Sequence, residues 1–150
     1  GISVYEVEEL KKVLKFFRPD IVQLPISILN QSFLKNNFLK KLKKLNIEIH
    51  VRSIFFQGGL LGSYGVLKKK LFFPKKIFSK WQIWLKRNNL NKIRGSLSIL
   101  HNLKKIKVVV GVETKDQLVE ITNEIKKRTF KPLDILLSRK ILTKLYNYKI

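Results

Sequence analysis

At 150 residues, 45% of them hydrophobic, the chain is long enough for one domain with a real core, which excludes a disordered segment. Its 32 Lys and Arg against 10 Asp and Glu give a formal net charge of +22, the signature of an anionic partner or of biased composition. Ala, Met and Cys are absent while Lys, Asn, Ile, Leu and Phe crowd the whole sequence, so the bias is that of AT-rich coding, and disulfides and thiolate metal sites are excluded.

In chain order, GISVY at the start reads as the end of a strand. Val7, Leu10, Leu14 and Phe17 then recur at helical spacing, with Glu8, Glu9, Lys11 and Lys12 on the other face and Pro19 as the stop. DIVQLPI, Asp20 to Ile26, is a short Val/Ile-rich segment that predicts a strand. Leu34, Phe38, Leu42 and Leu45 form the next helical stripe, its lysines at 35, 40, 41, 43 and 44 turned mostly to solvent. IEIHVRSIFF, Ile47 to Phe56, predicts a second full strand, and IKVVVGV, Ile106 to Val112, a third; neither alternates strictly, as expected of strands covered on both faces. Between these two, Trp81, Trp84 and Leu85 suit a helix, and Ser96 is placed to cap another carrying Leu97, Leu100 and Leu103. Thr114 caps a last helix with Leu118, Ile121 and Ile125 inside, and Gln117 completes a capping box.

This alternation predicts an α/β protein with a parallel sheet and right-handed crossovers. There is no GxGxxG and no GxxxxGK[ST], and the polar residues of interest fall where strands finish, at Ser3, Gln23, Arg52, Ser53 and Gly111. A (β/α)8 TIM barrel, whose chemistry gathers at the carboxyl ends of its strands, is favoured over an open sheet.

His50 and His101 have no Ser, Cys or carboxylate at a telling spacing and read as structural, and no cluster predicts a metal. Gln23 is either a satisfied core amide or a ligand contact, since a buried amide without partners costs about 1 to 3 kcal/mol. Gly111 ahead of the Thr114 cap offers a turn and free N–H groups to a phosphate, or is a plain strand-to-helix turn. The lysines at 40, 41, 43 and 44 and the stretch LKKKLFFPKK, Leu67 to Lys76, are the best basic patches; a solvated helix face and loop explain them more simply than nucleic acid or an anionic membrane. No apolar run approaches the ~20 residues of a spanning helix, so a soluble, cytoplasmic protein is expected. A chain without Met that opens as if in mid-strand is expected to be a piece of something longer.

Four stretches, GISVY, IVQLPIS, RSIFFQGGLL and VVVGVETKDQLVEI, in this order and spacing, resemble the last four strand ends of the aldo-keto reductases. The similarity runs from about Gly1 to Glu124. It implies strands five to eight of a barrel that binds NADP or NAD, with one 150-residue unit as the carboxyl-terminal half. It further implies that Ser3 and Gln23 hold the nicotinamide carboxamide and that Arg52 replaces the Tyr that stacks on the nicotinamide. Ser53, Phe55, Gln57 and Gly58 pass along the pyrophosphate, and Gly111, Gln117 and Glu120 serve the adenosine end. Val4 and Ile121 stand where the family often has Asn. At the usual 2′-phosphate positions this chain has Val112 or Glu113 and Gln117, so NADH and NADPH both remain open. The family's catalytic Asp, Tyr, Lys and His belong to the first four strand units. Tyr5, Tyr64, Tyr146 and Tyr148 match none of them, so no catalytic residue is assigned. The partners implied are the missing amino-terminal half and a small carbonyl substrate; a basic nucleic-acid-binding or non-catalytic structural module is the alternative.

Overall fold

The computed structural model describes residues 1–65 and 75–127. Four strands, β1 (Ile2–Ser3), β2 (Ile21–Pro25), β3 (Glu48–Arg52) and β4 (Lys107–Val108), form one parallel sheet in the order β1-β2-β3-β4. Helices α1 (Val7–Val13), α2 (Phe38–Lys44), α3 (Lys75–Arg87), α4 (Lys92–Leu97) and α5 (Lys115–Lys126) lie between and after them. The architecture is the parallel α/β sheet with intervening helices that the alternation predicts.

Side-chain period explains where the core sits. Val22, Leu24, Ile49 and Val51 are wholly buried on one face of the sheet, and burial of each such side chain is worth about 1.5–3 kcal/mol. The residues between them, Ile21, Gln23, Glu48, His50 and Arg52, lie on the other face and keep partial exposure. The expectation of strands covered on both faces is therefore corrected: β2 and β3 alternate, because among the described residues the helices cover the outer face. Leu10, Phe33, Leu42, Leu60, Trp81 and Leu97 fill the outer core, where Trp81 and Trp84 stack with centroids 5.3 Å apart.

Several boundaries differ from expectation for local reasons. The segment after Arg52 leaves the sheet because Ser53 has φ +60°, so the strand foreseen to Phe56 ends at Arg52. β4 keeps only Lys107 and Val108 of the foreseen Ile106 to Val112. α1 stops before Phe17, which is 51% exposed. Asn36 and Asn37 both adopt left-handed backbone, φ +54°, and separate α2 from the 3-10 turn Ser32–Asn37; Leu34 thus precedes the helix it was expected to begin, and Leu45 is exposed. Ser96 is not a cap. It lies inside α4 and donates to the Lys92 carbonyl at 2.8 Å, while Asn91 caps that helix by accepting the Arg94 N–H at 2.7 Å. Leu100 belongs to the 3-10 segment Ser98–Asn102 and Leu103 follows it.

The Thr114 cap forms as foreseen, Oγ1 accepting the Gln117 N–H at 3.3 Å. Gln117 Oε1 reaches back one residue further than a standard box, to the N–H of Glu113 at 2.9 Å. Ile121 is buried beneath this helix, whereas Leu118 faces outward with 46% exposure. Most of the Leu67 to Lys76 patch, and Tyr146 and Tyr148, lie outside the described residues; Lys75 and Lys76, in α3, are exposed.

Candidate functional site

The carboxyl ends of β2, β3 and β4 open into a cleft of about 1330 Å³. Its walls come from the loop after β3, from the end of α3 and the start of α4, and from the segment Val109 to Ile121 that carries β4 into α5. Nine of the ten residues singled out above line it: Gln23, Arg52, Ser53, Phe55, Gln57, Gly58, Gly111, Gln117 and Glu120. Ser3 is not in the lining. It is the register neighbour of Gln23 on β1, exposed, one strand away from the cleft wall.

Each position has a structural cause. Gln23 is at the middle of β2 on the open face, half-buried, and its amide makes no hydrogen bond among the described residues. Arg52, the last residue of β3, donates from Nη2 to the Val4 carbonyl at 3.1 Å, and its guanidinium lies 4.3 Å over the Tyr5 ring. Its Nη1 also reaches Ser53 Oγ at 3.4 Å. The loop beyond is tightly coiled: Ser53, Phe56 and Gln57 have φ of +60°, +50° and +54°, and Gly58 has +76°. Three non-glycine residues in the left-handed region of one short loop hold a costly conformation, of the kind that clusters at ligand sites. Phe55 and Leu60 are buried beneath it and anchor it. Gly111, by contrast, has no positive φ, and a Cβ built on it would meet nothing within 4 Å; space beside the backbone, not a turn, distinguishes it.

Lys92 escapes sequence reasoning because nothing at its spacing marks it. Its Nζ donates to the carbonyls of Leu61 and Gly62 at 3.0 and 2.8 Å, binding the β3 loop to the start of α4. Glu124, 7% exposed, receives Arg94 Nη1 and Lys127 Nζ, each at 2.8 Å. These partners, Lys127 foremost and Arg94 with it, hold the carboxyl below its ordinary 4.5 against the opposing effect of burial.

A polar row crosses the open face below the cleft. Gln23 is in register with Ser3 and with His50, and His50 with Lys107. Glu48 Oε1 lies 2.5 Å from His50 Nε2 and 2.8 Å from Lys107 Nζ. The Lys107 hydrogen bond, then that of His50, lowers the Glu48 pKa from 4.5. His50 therefore has a carboxylate partner, contrary to the expectation of none at a telling spacing. The signal is present in period two, since Glu48, His50 and Arg52 must share one face of a strand. Among the described residues no group of His, Asp or Glu is arranged to hold a metal, and no helix is long and apolar enough to cross a membrane.

No protein-family model matches the sequence, and no curated protein matches it. Solved structures do. An aldo-keto reductase from Bacillus halodurans in its apo form superposes with a TM-score of 0.66 at 16% identity, covering 97% of this chain and 50% of its own. A thermostable aldo-keto reductase complexed with the inhibitor epalrestat gives 0.59 at 12% identity, covering 97% and 47%. A glycerol dehydrogenase from Gluconobacter oxydans gives 0.58 at 12% identity with the same coverage. The fold is that of half an aldo-keto reductase barrel. The chain spans about half the length of the structures it matches, and the four parallel strands among the described residues are half of what an eight-stranded barrel closes with.

Proposed function

We propose that this half-barrel is the carboxyl-terminal half of an NAD(P)H-dependent oxidoreductase that reduces an aldehyde or ketone, and that it supplies the cofactor surface. The observation that carries the reading is the convergence of nine resemblance-derived residues on one cleft at the carboxyl ends of three strands. The donor set fits a dinucleotide: an unpartnered Gln23 amide for a carboxamide, the Arg52 guanidinium beside it, a Ser53 hydroxyl and open backbone at Gly111. The cleft, at about 1330 Å³, is also roomy enough in volume for a dinucleotide-sized ligand.

When bound, the nicotinamide supplies the hydride. The chain's own contribution is to bind and orient. Gln23, with Ser3 alongside, fixes which ring face meets the substrate; Arg52, held flat by Tyr5, borders the ring; the coiled loop Ser53 to Gly58 passes the pyrophosphate. The proton for the carbonyl oxygen comes from residues of the missing amino-terminal half, so the isolated half-barrel is inactive. That half would also cover the row Glu48, His50, Lys107, whose charges otherwise face solvent.

Titration of the chain with NADH and NADPH, read by quenching of Trp81 and Trp84 fluorescence, tests the reading. Saturable binding is expected, weakened by Arg52→Ala. A second reading rests on the net charge of +22 and the exposed Lys40, Lys41 and Lys44 of α2, which suit nucleic acid. Oligonucleotide binding that falls steeply with salt, with no cofactor binding, would reverse the order.

A further inference from the structure

The end of the sheet opposite the cleft carries an apolar tip among cations. In a parallel sheet with helical crossovers, the turns that lead from helix to strand gather at the amino ends of the strands. Three do so here: Leu14 to Asp20 ahead of β2, Leu45 to Ile47 ahead of β3, and Leu103 to Ile106 ahead of β4. They are tied together by the Glu48 N–H on the Asp20 carbonyl at 2.8 Å and by Lys43 Nζ on the Lys104 carbonyl.

On the first of these turns Phe16 and Phe17 stand side by side in solvent, Phe16 with 87% exposure. Their backbone is fixed. Both N–H groups donate to the Val13 carbonyl, at 2.9 and 3.1 Å, and Pro19 is buried where the turn leaves for β2. Leu45 is exposed on the neighbouring turn. Lys15, Arg18, Lys44, Lys104 and Lys105 lie on or beside the same turns, all exposed and, among the described residues, in no ion pair. The acids nearest them along the chain are Asp20 and Glu48, and Glu48 is held by Lys107 and His50. Other acids collect at helix starts, Glu8 and Glu9 in α1 and Asp116 in α5. The charge is therefore polarised along the sheet, where biased composition alone would spread it evenly. Cations at helix carboxyl ends also offset the helix dipole, but the dipole gives no reason for a fixed pair of exposed phenylalanines.

We propose that this end of the protein docks on an anionic lipid bilayer, Phe16 and Phe17 entering the headgroup boundary with Leu45 beside them, and the five cations meeting the lipid head groups. An apolar tip among cations matches a surface that is negative outside and apolar just beneath. A nucleic-acid strand would instead stack its bases on aromatic rings along a basic groove, and Leu45 offers it no ring. The cleft, at the other end of the strands, then faces away from the membrane and stays open to water, whatever it binds.

Cosedimentation of the full chain with phosphatidylcholine vesicles, with and without about one third phosphatidylserine, at about 0.15 M salt tests the proposal. Binding to the vesicles that contain phosphatidylserine is expected, and little to phosphatidylcholine alone. Phe16→Ser combined with Phe17→Ser should weaken that binding about tenfold or more while the circular dichroism stays unchanged. Lys15→Glu with Arg18→Glu should weaken it as well, whereas Lys75→Glu with Lys76→Glu, an equal change of net charge on exposed residues of α3, should not. Equal loss from the two charge pairs would overturn the proposal in favour of diffuse attraction by the net charge of +22. Vesicle binding that ignores the phenylalanine pair would overturn it too. So would a chain that binds no vesicles; loss of oligonucleotide binding or of self-association in the phenylalanine variant would then name the true occupant of the tip.

Discussion

The Arg52 guanidinium stands 4.3 Å over the ring of Tyr5, and the contact joins the ends of two strands that are not neighbours, since β2 lies between β1 and β3. The hydrogen bond from Nη2 to the Val4 carbonyl, 3.1 Å, makes the same crossing. Arg52 is thus a brace over the carboxyl end of β2 as well as a wall of the cleft.

The brace predicts a stability cost separable from ligand binding. A half-exposed cation–π contact and one charged hydrogen bond together suggest that Arg52→Ala loses about 1–2 kcal/mol in urea denaturation. Tyr5→Leu should lose about half of that. Arg52→Lys should recover only part, because an ammonium lacks the planar fork that stacks and donates at once. Identical midpoints for Arg52→Ala and the parent chain would show that the brace contributes nothing.

Gly95 is a tighter constraint. A Cβ there would come within 2.2 Å of Leu85 Cδ2 and 2.6 Å of Trp81 Cη2. The leucine methyl can turn away; the indole, 1% exposed and stacked on Trp84, has nowhere to go. Gly95→Ala should therefore destabilise by about 1–3 kcal/mol, although alanine is the better helix former by about 1 kcal/mol. A thermal melt decides the sign: a raised midpoint would mean that α3 and α4 can move apart without loss.

What can be read in advance follows from which signals are local. Apolar stripes such as Leu34, Phe38, Leu42 and Leu45 locate a helix but overrun its ends. Phe17 and Leu34 have the right period yet lie outside α1 and α2, the latter cut off by the left-handed Asn36 and Asn37. The order of strands is legible because each is a Val/Ile-rich segment between charged helices. Their lengths are not, since the turn at Ser53 is a left-handed backbone on a residue that does not advertise it. Gln23, Arg52, Ser53 and Gly111 are found at strand ends and Gln117 and Glu120 through the family resemblance, whereas Lys92 answers to carbonyls at Leu61 and Gly62, far away in the chain, and the Asn91 cap to a boundary misplaced at Ser96. The inner face is marked by the period-two alternation of Glu48, His50 and Arg52, a local signal that shows which residues share a face but not what lies across from it.

The Glu124 cluster predicts an acid-limb effect. Its carboxyl pKa is lowered in the folded chain by Lys127 first and by Arg94 as well, so the unfolded chain binds the proton more tightly. The resulting stabilisation is fully present above about pH 4.5 and is lost as pH falls through the lower folded value. Glu124→Gln removes that dependence. At neutral pH it should cost about 2 kcal/mol, between the values for exposed and buried ion pairs. Urea midpoints measured from about pH 7 down to about pH 3 should converge for the two chains at the acid end; parallel curves would place the acid sensitivity elsewhere.

The Glu48–Lys107 pair bears on the shortest strand that meets the cleft. β4 has two residues, and it is tied to β3 by the pairs His50↔Lys107 and Val51↔Val108, by the Val109 N–H on the Val51 carbonyl at 2.8 Å, and by this ion pair at 2.8 Å. Both side chains are substantially exposed, so salt screens the attraction and global stability should scarcely register its loss. The local readouts are sharper. Since the Lys107 hydrogen bond is the largest cause of the lowered Glu48 pKa and His50 the next, Lys107→Ala should raise the Glu48 midpoint in an NMR titration more than His50→Phe does. The pair is formed above about pH 4.5 and lost as pH falls through the lowered midpoint. Hydrogen exchange at Val109, read at neutral pH, should quicken in Lys107→Ala, because β4 then keeps only its backbone bonds. A Glu48 midpoint indifferent to Lys107 would mean that His50 alone holds the carboxylate, and that the approach from β4 to the cleft wall at Val109 to Ile121 is positioned without help from the inner face.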